Sequence, residues 1–246
     1  KNQELTTNRK QTIIIDPWVT IPTFTGTNKA YDIDWDYLGN IYVYGGEFPY
    51  QLIKLNSSGV IQWTFSTPSV FIQDMYGDFA VDRNTGISYI AEGGVGSPGA
   101  HIVKVGAAGN QLVLFPGNVN ADEFTRIALN SCTGKGVIGL GNTSASYQAA
   151  TFDTTLASIT PVNVLSTSEA YHDIALLTLD DTNCYIATSI SLQFIPNFNN
   201  VTLKLPALTL TPPAYIINNG HSFQEYTSLS YVNGVPVSGF NGMAKS

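Results

Sequence analysis

The chain has 246 residues, of which 12% are charged, 43% hydrophobic and 11% aromatic, and it carries a formal net charge of −7 at a pI near 4.7. That length supports a sizeable core, as one large all-β domain or two smaller ones. The acidic balance leaves no basic stripe to neutralise phosphates, which argues against nucleic acid and an anionic membrane surface, and no apolar run approaches the ~18–20 residues of a spanning helix.

The opening KNQELTTNRK is not a charged-then-apolar leader. QTIIID (11–16) and VTIPTF (19–24) read as two strands. DIDWDYLGNIYVYGG, from Asp32, reads as strand, turn and strand. Tyr31, Ile33 and Trp35 point one way and Asp32, Asp34 and Asp36 the other, the period of two of a β-strand. A calcium loop fails here, because its sixth and twelfth positions, counted from Asp32, hold Tyr37 and Val43 instead of Gly and an acid. Asp36 aligns with Asp82 and Asn130 as a turn former, whereas Asp34 stands level with Ala80, Ala128 and Ala175. QLIKLNSSGVIQWTF (51–65) adds a Lys-bearing strand, a Gly turn and another strand.

DFAVDRNTGISYIAEGG, from Asp78, repeats the first hairpin, and HIVKVGAAGNQLVLF (101–115) repeats the Lys-bearing half. RIALNSCTGKGVIGLG from Arg126, DIALLTLDDTNCYIATS from Asp173 and SLSYVNGVPVSGFNG from Ser228 follow more loosely. AATFDTTLASITPV (149–162) and VTLKLPALTLTP (201–212) are weaker second halves. With Ile33, Phe79, Ile127, Ile174 and Leu229 equivalent, the spacings are 46, 48, 47 and 55. Four short strands every ~40–50 residues predict a β-propeller. The chain then reads as a single all-β domain over 1–246, with units starting near 31, 77, 125, 172 and 227. ADEFTRIALN alone passes for a capped helix, but its register with the other units makes it a strand.

The first unit resembles the SBBP type of bacterial β-propeller repeat, which is related to NHL repeats. The resemblance rests on the acidic turn, Gly-Asn and Tyr-bearing strand of DIDWDYLGNIYVYGG, then the Lys-bearing strand, Ser-Gly and Trp of LIKLNSSGVIQWTF. It implies a secreted or surface-displayed bacterial protein and carries no agreed catalytic residues. The fifth unit stops after two strands, YTSLSYV and VPVSGF, and residues 1–30 offer two more. Five four-stranded blades closed by both termini are therefore expected, which also removes exposed sheet edges. Part of a six- or seven-bladed propeller is the alternative.

With strands a to d numbered from the axis outward, the a–b turns (DYLGN, DRNTG, NSCTG, DDTN, NG) are tight Asp/Asn/Gly turns. The opposite end gathers longer connections, among them GGEFPYQ, TPSVFIQDMYG, EGGVGSPGA, SLQFIPNFNN and PPAYIINNGHSFQEY. Function on rigid scaffolds concentrates in such loops. Ligand-binding candidates there are Tyr50, Tyr76, Tyr147, Tyr171, Phe194, Phe198, Tyr226 and Arg126. Aromatics beside Asn, Ser and carboxylates suit a glycan or a protein segment, and the bland reading is that they staple loops to the blades. Asp32, Asp78, Arg126, Asp173 and Ser228 share one repeat position at the entrance of the innermost strand. As catalysts, Asp32, Asp78 and Asp173 would suit glycoside hydrolysis, which needs paired carboxyls. As structural groups, each would bond a neighbouring blade's backbone N–H.

His101, His172 and His221 lack metal-ligand spacing and read as surface histidines; no metal or other cofactor is expected. Cys132 and Cys184 fall on the tight-turn side of adjacent units, where a blade-to-blade disulfide would fit. The reading that results is a secreted or cell-surface binding and adhesion module without membrane insertion. Its alternatives are a glycan-active hydrolase and a structural subunit of a larger surface assembly.

Overall fold

Aspartate and asparagine side chains build the turns from which the sheets grow. Asp36 Oδ1 accepts the main-chain N–H groups of Leu38 and Asn40, both at 3.0 Å, and Asn56 Oδ1 those of Ser58 at 3.0 Å and Val60 at 2.9 Å. Asp82 and Asn130 do the same in later hairpins. The computed structural model describes residues 20–47, 49–68, 74–94, 100–116, 123–141, 149–162, 169–171, 176–179, 183–192, 198–206, 215–222, 229–232 and 235–238.

The first antiparallel sheet is β1 (Ala30–Trp35), β2 (Ile41–Gly46), β3 (Tyr50–Leu55) and β4 (Ile61–Ser66), paired in that order. The second repeats it with β5 (Asp74–Asp82), β6 (Ile87–Gly94), β7 (His101–Val105) and β8 (Gln111–Pro116). The third is β9 (Glu123–Asn130), β10 (Lys135–Gly141), β11 (Ala149–Asp153) and β12 (Ile159–Val162). The ADEFTRIALN stretch is thus a strand, as its register predicts. In the fourth sheet the first strand is divided into β13 (Glu169–Tyr171) and β14 (Leu176–Leu179), both paired with β15 (Asn183–Leu192). β16 (Phe198–Pro206) and β17 (Tyr215–Ser222) follow. β18 (Leu229–Val232) and β19 (Val235–Ser238) form a two-stranded hairpin.

β1 packs on β5, β5 on β9 and β9 on β14, so the first strand of each sheet is the inner one. The chain is therefore all-β and β-propeller-like, four sheets following one another like blades. Period-two alternation gives each sheet two apolar faces. Tyr42, Tyr44 and Leu52 of the first meet Phe79, Val81, Ile90, Val103 and Val105 of the second. Ala80, Tyr89, Ala91 and Ile102 on the other face of the second meet Ile127, Ile138, Ala150 and Phe152 of the third. Each fully buried Leu, Ile or Phe there contributes roughly 1.5–3 kcal/mol. Pro116 and Pro161 sit in the outermost strands, where a missing N–H costs no ladder bond.

Two glycines set how closely the layers approach. Gly109 has φ +83°, and a Cβ there would lie 2.7 Å from the Trp63 ring, whose Nε1 donates to Ala107 O at 2.9 Å. A Cβ on Gly136 would run into the Phe152 ring, which packs at 5.8 Å on Tyr89. Gly136→Ala is expected to cost about 1–3 kcal/mol by overpacking. A thermal melt unchanged from the parent would contradict it.

Three expectations need correction. VTIPTF is not a closing strand over its described part: residues 20–24 pair with no sheet, and Phe24 instead packs on Val43, Ile53 and Leu55. QTIIID lies outside the described residues. The β16 ladder from Lys204 to Asn199 pairs with β17, Tyr215 to Ser222, inside the stretch read as a connection, whereas ALTLTP lies outside the described residues. Finally, Cys132 and Cys184 form no disulfide with each other. Cys132 is exposed in the β9–β10 turn and Cys184 is buried in β15, so the expected bridge is not formed.

Candidate functional site

The end of the sheets opposite the tight turns carries a repeated irregularity. A one-residue bulge interrupts the inner strand between Ala30 and Asp32, between Met75 and Asp78, and between Phe124 and Arg126. In the fourth sheet Tyr171 pairs with Ile190 and Leu176 with Ala187, so two extra residues fall between β13 and β14. Bulges bend a strand and re-aim the side chain that follows. Asp32, Asp78 and Arg126 are those following residues.

The inner strands are edge strands of their sheets, and the carboxylates accept from N–H groups along those edges. Asp78 is buried; its Oδ1 accepts from Phe79 N at 2.8 Å and its Oδ2 from Ile127 N, in the third sheet, at 3.2 Å. Asp34 follows the same rule one sheet earlier, with Trp35 N at 2.9 Å and Val81 N at 3.0 Å. Each carboxylate takes the N–H of its own successor and of the successor's counterpart in the next sheet. This is the sheet-joining role expected for Asp78, and it extends to Asp34, which the alignment set apart. Asp32 Oδ1 accepts from Ile33 N at 2.7 Å. Asp173 lies outside the described residues.

Beneath the same end lies a buried polar group that spans two sheets. Glu92 and His101 face each other across the last pair of the β6–β7 ladder. His101 Nε2 lies 3.0 Å from Glu92 Oε2, and the Tyr44 hydroxyl from the first sheet donates to Glu92 Oε1. All three side chains are buried, so His101 is not the surface histidine expected. The signal available in the sequence is a lone Glu and a lone His in the apolar strands SYIAE and HIVKV.

Aromatic residues gather around this group. Tyr50 packs on Tyr31 at 6.0 Å and Tyr44 at 5.9 Å, and Tyr44 on Phe79 at 5.8 Å. Tyr50 is only 5% exposed and serves as a staple, not an open ligand contact. Tyr76, Tyr171 and Phe198 belong to β5, β13 and β16, at the loop-bearing ends of those strands. Tyr147, Phe194 and Tyr226 lie outside the described residues. Among the described residues no cluster of three or more His, Cys, Asp or Glu has the arrangement of a metal site.

The tight-turn end is locked by a repeated clamp. Lys54 Nζ lies 5.1 Å over the Tyr42 ring and reaches Ala107 O at 3.5 Å in the next sheet. Lys104 Nζ lies 5.7 Å over Tyr89 and reaches Thr154 O at 2.6 Å. The repeated lysine therefore joins sheets. Burial raises the Asp36 carboxyl, but hydrogen bonds from Asn40 and Tyr42 and the nearby Lys54 ammonium outweigh it and hold its pKa below 3.8. Burial, then Asp36, pushes the Tyr42 phenol far up. A depressed carboxyl stabilises the fold above its unfolded pKa, and that stability is lost as pH falls through the folded value. Asp36→Asn is thus expected to lower the neutral-pH melting temperature and to flatten its decline below about pH 4. Parallel melting-temperature curves for variant and parent would contradict this.

No protein-family model matches the chain, and no curated protein matches it. The SBBP-type resemblance therefore has no support from a family model. Among solved structures, the chain is similar to a Bacteroides caccae protein of unknown function, at 14% identity and TM-score 0.50 over 83% of this chain and 68% of that one. Others are a nidogen/laminin complex (9%, TM-score 0.49, 79% and 66%) and the β-propeller domain of the Trilobed protease from Pyrococcus furiosus (10%, TM-score 0.45, 80% and 67%). At these identities the likeness concerns the fold alone.

Proposed function

We propose that this chain is the binding module of a secreted or cell-surface bacterial protein, taking a glycan or a protein ligand at the loop-bearing end of a five-bladed ring. The observation that carries the reading is the bulge repeated at that one end of the inner strands. It supports a mouth in which the long connections meet, while the opposite end is tied by short turns and the lysine clamps. The aromatic group of Tyr31, Tyr44, Tyr50 and Phe79 gives the mouth a rigid base. In the ring, the β18–β19 hairpin belongs to the fifth blade.

A glycan array run beside a panel of immobilised extracellular proteins, with a hydrolysis screen on the same glycans, tests the proposal. Binding is expected, and Tyr76→Ala, Tyr171→Ala or Phe198→Ala is expected to weaken it at least about tenfold, the equivalent of about 1.4 kcal/mol. Asp32→Asn is expected to leave binding within about twofold, since aromatic anchors and not rim carboxylates carry the contact. Turnover abolished by Asp32→Asn would replace binding by hydrolysis. Blank results throughout would overturn the proposal.

A further inference from the structure

The joint from one sheet to the next draws on a short set of repeat positions. Asp34, Ala80 and Ala128 of the inner strands pair with Tyr42, Tyr89 and Val137, which pair in turn with Lys54, Lys104 and Thr151. At the first joint Lys54 Nζ reaches Ala107 O, the Tyr42 hydroxyl lies 3.2 Å from Gly86 O, and Asp34 Oδ2 accepts from Val81 N. At the second, Lys104 Nζ and the Tyr89 hydroxyl both donate to Thr154 O, the latter at 3.0 Å, and Asp78 Oδ2 accepts from Ile127 N. The third sheet presents other chemistry at each of these positions. Val137 is fully buried and has no hydroxyl, and the Thr151 side chain is too short to reach across a joint as a lysine does. Ala128 and Arg126 stand where Asp34 and Asp78 accept. An alanine side chain accepts nothing and a guanidinium only donates, so neither takes an amide N–H of the next inner strand.

We infer that the joint between the third and fourth sheets is a seam: the first three sheets are stapled into one body, and the chain opens locally between β9 and β14. β9 packs on β14 with neither the lysine clamp nor an acceptor at the two inner-strand positions of the third sheet. Structures open in cooperative units whose boundaries fall where the contacts across them are weakest. The seam is built into the fold by the residues Ala128, Val137 and Thr151, which replace the joining set while keeping the strand pairing intact. Both strands that part are inner ones, so opening here widens the space surrounded by the longer connections.

Amide hydrogen exchange of the full-length chain under native conditions, read at Ile90, Ile138 and Ile186, tests the seam. All three are buried, and each sits in a strand paired on both sides. Ile186 is expected to exchange at least about a hundredfold faster than Ile90 and Ile138, which should share one rate. One rate at all three positions would overturn the inference. So would Ile138 exchanging as fast as Ile186, because the opening would then lie on the other side of the third sheet. A fourth sheet that is weak within itself gives the same first result, and Lys104→Met separates the two. Without its clamp the second joint becomes a seam as well, so Ile138 is expected to speed up at least about tenfold while Ile90 stays within about threefold. Ile138 unmoved would show that the clamp does not set where the chain opens, and would overturn the inference. If Lys104→Met folds poorly, Tyr89→Phe removes only the hydroxyl and should shift Ile138 in the same direction by a smaller factor, with an unchanged rate counting against the seam.

Discussion

Glu92→Ala is expected to cost about 3–5 kcal/mol, the range found when one partner of a buried charged group is removed. The substitution takes the acceptor away from the Tyr44 hydroxyl and the His101 imidazole at once. Both are buried, so the loss of each of these bonds carries a penalty of about 1–3 kcal/mol. In a chain of this size the melting temperature should fall by roughly 10 °C or more. Glu92→Gln should cost less than half as much, because its amide oxygen still accepts one bond and its NH2 can donate to the other partner. The ordering Ala worse than Gln separates a hydrogen-bond role from simple volume. A cycle of Glu92→Gln with Tyr44→Phe should show coupling of about 1–2 kcal/mol, since the two groups touch across the sheet interface. A Glu92→Ala melt within about 2 °C of the parent would mean the group holds nothing together.

Hairpins and their turns are the legible part of this sequence. Period-two alternation marks the strands, and Asp36, Asp82 and Asn130 mark the turns, because a side-chain acceptor two residues before an N–H builds the same turn each time. The joining role of Asp78 is legible as well, from its repeat position. That of Asp34 is hidden, since its counterparts are alanines and only the three-dimensional rule reveals it. Glu92 and His101 are unreadable for another reason: their pairing depends on the register across a nine-residue separation, which no turn signature fixes. In the fourth unit, alignment on Ile127 and Ile174 sets position 177 level with Asn130. The hairpin nevertheless closes at Leu179 with Cys184, two residues later, because the interruption between β13 and β14 absorbs one residue more than the bulge of the third sheet and the partner strand runs one residue further to the turn. Of the candidate site, the sequence marks the end that carries the longer connections, and it does not mark the buried Glu92, His101 and Tyr44 group.

Asp78→Ala should be the second large effect, at about 2–6 kcal/mol. It strips the acceptor from Phe79 N and Ile127 N, two amides of buried residues, at about 1–3 kcal/mol each. Asp78→Asn keeps one oxygen and turns an NH2 toward the other N–H, so it should fall between alanine and the parent. Hydrogen exchange gives the residue-level readout, because the Ile127 amide should exchange faster in Asp78→Ala by the factor that matches the lost stability, about tenfold per 1.4 kcal/mol. The same pair of variants separates joining from chemistry at the rim. If Asp78 served a substrate, Asp78→Asn would abolish activity and leave the melt where it was. If it joins the second sheet to the third, the melt falls with or without any ligand present, and ligand affinity changes only as far as the sheets loosen. A melt unchanged in both Asp78 variants, with Ile127 exchange as slow as in the parent, would remove the carboxylate from the interface between these blades.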